Sequence, residues 1–185
     1  MRMLFLCLAL AGLAACSRGG DAESACSYVA RHELAFSSPD APDAAIARAE
    51  GPSCAQAVAT LTLRDAQGDL LWALAKPYYD LTVGGAAPEG APEPSADEVE
   101  AFLAAWADLT IMRSSALPAW PEGAASLAEA SDIFAYETPF DRETYERLRA
   151  LDLPQVCYAI AAEASECLIM DPASNAPAII VRFGP

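Results

Sequence analysis

The stretch "AVATLTLRDAQGDLLWALAK", residues 57–76, decides the fold. Ala59, Leu61 and Leu63 alternate with Val58, Thr60, Thr62 and Arg64, the period of two that places one set on each face of a β-strand. Asp65-Ala66-Gln67-Gly68 then supplies a turn whose glycine tolerates positive φ, and Leu70 to Lys76 runs back. This predicts an antiparallel hairpin that buries one face. Upstream, "SYVARHELAFSS" at 27–38 alternates in the same way, with Tyr28, Ala30, His32, Leu34 and Phe36 on one side. The prolines of "SPDAPD" break it, and a shorter strand is expected at 45–50. Beyond Pro77, "PYYDLTV" reads as another extended piece.

The chain after the hairpin changes character. Residues 84–95, "GGAAPEGAPEPS", hold three prolines, three glycines and no large apolar group, so they are expected to form a mobile surface loop. Ser95 opens a helix: "SADE" is a capping box, and Val99, Phe102, Leu103, Trp106 and Leu109 recur at helical spacing along one stripe. Residues 113–140 contain Pro118, Pro121 and Pro139 and predict no more than a short helix at 122–130. A second helix starts at the N-cap Asp141 and stops before Pro154, with Tyr145, Leu148 and Leu151 as its inner side. The end returns to strands in "QVCYAIAA", "ECLIM" and "PAIIVRF", the last two separated by the turn-rich "DPASNA". The pattern predicts an α+β fold, mostly antiparallel sheet with two main helices, in one domain over 26–185.

The beginning of the chain gives an address. A basic head, Met1-Arg2-Met3, precedes an apolar run from Leu4 to Ala15. That run is shorter than the roughly 20 residues a membrane-spanning helix needs, and it ends in small residues as an export signal does. "LAAC" at 13–16 resembles the lipobox of bacterial lipoproteins. The resemblance implies a signal peptide at 1–15, lipidation of Cys16 as the new first residue, and a tether over 16–25. It implies anchoring in the cell envelope, because several acyl chains on one residue hold where a single chain binds only marginally. Ser17, rather than aspartate, resembles the signal for the periplasmic face of the outer membrane if the host is Gram-negative.

Charge and cysteines narrow the class further. The formal net charge is −15, and loss of Arg2 with the leader takes it to −16. Such a surface repels nucleic acid and anionic head groups. The expected partners are therefore the membrane, through the N-terminal lipid, and an envelope protein, with nucleic acid excluded. Setting aside Cys7 in the leader and Cys16 leaves Cys26, Cys54, Cys157 and Cys167, an even number in an oxidising compartment. Of three pairings, Cys26 with Cys54 and Cys157 with Cys167 are favoured, each within its own half of the chain. No C-x-x-C occurs and His32 is the single histidine, so no metal or other cofactor is expected.

Catalytic chemistry has little to build on. "HELAF" at 32–36 begins like the zinc-protease motif H-E-x-x-H but ends in Phe36. No serine sits in a G-x-S-x-G elbow, and no glycine-rich phosphate loop is present. Paired carboxylates remain: Glu137 lies within the aromatic stretch "IFAYETPF" and Asp141, with Asp132, flanks it, and Tyr78, Tyr79 and Asp80 form a second aromatic and acidic place. The expectation is a membrane-anchored envelope lipoprotein of non-catalytic binding or structural role. The alternatives are an inhibitor of a basic envelope-directed enzyme such as lysozyme, and a carboxylate-dependent cell-wall glycoside hydrolase acting through Glu137 and Asp141.

Overall fold

The computed structural model describes residues 25–185. Cys16, the leader and all but the last position of the expected tether lie outside the described residues. Four strands, β1 (Cys26–Leu34), β2 (Asp43–Gly51), β3 (Val58–Arg64) and β4 (Leu70–Pro77), form an antiparallel meander in sequence order. The expected hairpin is β3 and β4, and Gly68 holds its turn at φ +87°. Alternation produces a sheet with one covered face, where Leu61 and Leu63 are fully buried beside Ala45, Ala47 and Ala59. The small alanines of β2 leave room for the helix that packs across β1 and β2.

That helix is α2 (Ala96–Ala107). Its capping box is formed as predicted: Glu98 N–H donates to Ser95 Oγ at 3.3 Å, and Ser95 N–H donates to Glu98 Oε2 at 2.7 Å. Val99, Leu103 and Trp106 bury its inner stripe, and the Trp106 indole N–H donates to Ala159 O at 3.0 Å. This bond ties the helix to the second sheet.

The second sheet has the order β5-β7-β8-β9-β6, all antiparallel, with β5 (Ile111–Arg113), β6 (Ala135–Glu137), β7 (Pro154–Ala161), β8 (Ala164–Asp171) and β9 (Ala176–Gly184). Val156, Tyr158 and Leu168 join the core under the first sheet, while Cys167, Ile169, Ile180 and Val181 face α3 (Arg142–Ala150). Both faces are covered. This is why "CLIM" and "AIIV" read as continuous apolar runs rather than alternating ones. Over the described residues the fold is thus α+β, with antiparallel sheets, two substantial helices and two disulfides, Cys26–Cys54 and Cys157–Cys167. Cys157 and Cys167 are directly opposed in the β7–β8 ladder.

The irregular stretch before α3 wraps that helix. Buried Ser114 donates its hydroxyl toward the carbonyls of Leu148 and Arg149, satisfying groups that the helix end leaves open. Arg149 Nε donates to Leu117 O at 2.8 Å, and Tyr145, fully buried, donates its hydroxyl to Pro118 O at 2.8 Å.

Several expectations are corrected. "PYYDLTV" is not extended: Pro77 caps a short helix, α1 (Tyr78–Thr82), because Tyr78 and Leu81, three apart, both turn into the core. β2 is longer than expected. The helix expected at 122–130 shrinks to a 3-10 turn at Leu127–Ala130. Leu151 is half exposed at the C-cap of α3 rather than part of its inner side. The 84–95 loop has neither helix nor strand, but it is tied near its end, where Glu93 Oε2 accepts from Cys54 N–H at 3.0 Å and Ala55 N–H at 3.1 Å. His32 lies at the rim, with Nε2 3.3 Å from Asp108 Oδ1. Among the described residues, no helix is long and apolar enough to cross a membrane.

Candidate functional site

The two nominated carboxylates do different things. Asp141 is the N-cap of α3, and its Oδ1 accepts from Thr144 N–H at 2.8 Å. That bond holds its carboxyl below the usual carboxylate range, so it stays ionised as a cap. Glu137 ends β6, directly opposite Arg182 of β9. On the other side of Arg182 stands Glu166 of β8, also in direct register. Three adjacent strands therefore carry a row of Glu166, Arg182 and Glu137.

Glu166 is the residue that sequence reasoning missed. Its side chain is 4% exposed, and the Arg182 Nε donates to its Oε2. Tyr158 donates its hydroxyl to Oε1 at 2.5 Å. A buried carboxylate is tolerable only with such partners, and here one is a cation and the other a phenol. Two shallow clefts of about 220 and 210 Å³ flank Arg182, and Glu137 lines both. Asp141 lines neither. The row is a structural ion pair with Glu137 at its margin, and it does not set Glu137 and Asp141 across a common cleft.

Burial pushes the Tyr158 hydroxyl well above its ordinary pKa, and Glu166 adds to the shift; burial does the same to Tyr145. The unfolded chain releases phenolic protons near pH 10, whereas the folded state retains these two. Above that pH the unfolded state binds fewer protons, so stability falls as pH rises. The urea midpoint should therefore drop between pH 8 and pH 11, and it should drop less in Tyr158→Phe. An equal drop in that variant contradicts the assignment.

Tyr78 and Tyr79 line a larger recess than either cleft beside Arg182. α1 brings Tyr78 and Tyr79 together with Val83, the loop end adds Pro92, Glu93 and Pro94, and the first turn of α2 adds Glu98. The cavity measures about 290 Å³. Its floor is continuous with the core: Tyr78 packs edge-on against Phe102 at 5.2 Å between ring centroids, and Phe102 against Trp106 at 5.6 Å. Asp80, nominated with the tyrosines, turns away, its Oδ1 accepting from Gly85 N–H at 3.0 Å at the start of the loop.

The recess is held by bonds at its edges. Glu93 pins the loop onto the segment that carries Cys54, which the Cys26 bridge fixes to β1. Gly51 permits that segment to fold back: a Cβ there would lie 2.7 Å from the Cα of Ala57. Hydrogen bonds from Ser53 and the N–H groups of Ala55 and Cys54 hold the Glu93 carboxyl below its usual range, and those from Ser95 do so for Glu98. Among the described residues, no three His, Cys, Asp or Glu side chains are grouped to hold a metal ion.

No protein-family model, curated protein or solved structure matches this chain.

Proposed function

We propose that this protein is a lipid-anchored component of the bacterial cell envelope, held through Cys16, that works by contact with a partner rather than by turnover. The observation that carries this reading is the recess between α1, the 84–95 loop and α2. Its two carboxylates are fixed in place by hydrogen bonds, and its walls rest on the aromatic core. Groups held in this way before binding lose little entropy when a partner arrives, which is how a small site gains affinity. The lipobox resemblance and the acidic surface supply the location and the exclusion of nucleic acid.

The glycoside hydrolase alternative makes the opposite prediction at Glu137 and Asp141. Glu137→Gln and Asp141→Asn keep side-chain shape, and asparagine is itself a good N-cap. Both variants should leave peptidoglycan turnover unchanged, and the purified protein should release no muropeptides. Muropeptide release that disappears in either variant overturns the contact reading.

A further inference from the structure

We infer that the recess receives the cationic end of a lysine or arginine side chain presented by a basic protein partner; the inference rests on the contact reading and names its ligand. The walls suit such a side chain from stem to tip. Proline rings and Val83 offer apolar surface to the methylenes, which basic side chains bury readily while keeping their charge outward. Tyrosine rings attract a cation through the negative potential of their faces. At about 290 Å³ the cavity falls just below the roughly 300–1,000 Å³ typical of small-molecule pockets, a size for one side chain rather than a cofactor.

The rim supplies charge without a counterion. Glu93 and Glu98 are ionised and immobilised by the bonds described above, and among the described residues neither forms an ion pair. The N–H groups of Cys54 and Ala55 donate to Glu93 Oε2, and the N–H and hydroxyl of Ser95 donate to Glu98 Oε2. Tyr78 adds an independent sign. The residue is 5% exposed and lines the recess, yet its hydroxyl has no hydrogen-bond partner among the described residues. Burial, and next the nearby charge of Glu98, raise its pKa, so it stays a neutral phenol. Its hydroxyl opens onto the recess, where an incoming donor can meet it. A cation in the recess would meet two negative charges on its rim and the phenol oxygen as an acceptor. An anionic ligand would meet repulsion from the rim and from the net charge of −15. That charge also favours long-range encounter with a basic protein.

The test uses the whole exported chain and three peptides: acetyl-Gly-Lys-Gly-amide, its arginine counterpart, and a norleucine counterpart that keeps the stem without the charge. Chemical-shift titration should show the lysine or arginine peptide perturbing residues 78–83 and 92–98, with no response to norleucine. In the paired variant Glu93→Gln with Glu98→Gln, affinity should fall by about tenfold or more, the scale of two lost charge contacts. Glutamine keeps an acceptor for the Cys54, Ala55 and Ser95 N–H groups, and it is accepted at the third position of a capping box, so the fold survives the change. Equal binding of norleucine overturns the cation assignment while leaving the recess a contact site. Cationic peptides that shift no recess residue overturn it also. Failure of the contact reading itself shows elsewhere, as muropeptide release.

Discussion

Removing the Cys26–Cys54 bridge by paired alanine substitution should destabilise the protein by roughly 3–4 kcal/mol in the loop-entropy model. For a chain of this size that is a drop of about 10 °C in the unfolding midpoint. The bridge closes a separation of 28 residues, from the first residue of β1 to the loop between β2 and β3. Cys26 is fully buried and Cys54 nearly so, both in the core beneath the first sheet. The Cys157–Cys167 bridge spans only 10 residues and joins positions that the β7–β8 ladder already pairs. Its removal should cost less, roughly 2–3 kcal/mol. The larger loss also reaches the recess, because Cys54 and Ala55 donate the N–H groups that hold Glu93. Urea unfolding of the two paired variants checks the order, and a greater loss from the Cys157–Cys167 pair contradicts it. A single cooperative transition, with both sheets melting together, is the result expected if residues 26–185 are one domain.

The first sheet was legible because one of its faces meets solvent, so burial is written into the sequence as alternation. The hairpin at 57–76 and the strand from Cys26 carry that signal in every second residue. The second sheet is covered on both sides, and parity disappears from "CLIM" and "AIIV"; strands can still be read there, but not their faces. β5 and β6 are three residues each, too short to show any period. At α1 two signals compete: two tyrosines after a proline favour extended structure by propensity, while the spacing of Tyr78 and Leu81 is a single helical turn. Packing against the core decided between them.

The candidate sites divide in a similar way. Asp141 was visible both as an N-cap and as an acid, and the helix claims it. Glu166 gave no warning, since its pairing with Arg182 depends on strand register across β8 and β9, where a bulge shifts the ladder between Cys167 and Leu168. Tyr78 and Tyr79 were visible as an aromatic place beside acids. The acids that complete it are Glu93 and Glu98 rather than Asp80, and only the folding of the 84–95 loop onto the β2–β3 segment brings Glu93 there. The capping box was the one advance sign, because "SADE" fixes the Glu98 carboxylate whatever the rest of the chain does.

The second large effect is all-or-none, and it joins the anchor to the recess. Val83 stands at the edge of the recess with 63% of its surface exposed, and Gln67 sits at the turn of the β3–β4 hairpin, whose far end leads into the recess through Pro77 and α1. A photoreactive side chain placed at either position reports what lies against it in the intact envelope. Anchoring matters to the outcome because a lipid-held protein samples a thin layer beside its partners, and the effective concentration so gained is lost when the chain diffuses freely. The most direct test is therefore crosslinking in the native envelope with the probe at Val83 or Gln67, in chains carrying Cys16 or Cys16→Ser. The account predicts a discrete adduct from Val83 in the membrane fraction and none from Gln67. It also predicts that Cys16→Ser releases the chain from the membrane and abolishes the adduct. A Cys16→Ser chain that stays in the membrane fraction, or equal adducts from Val83 and Gln67, would contradict it.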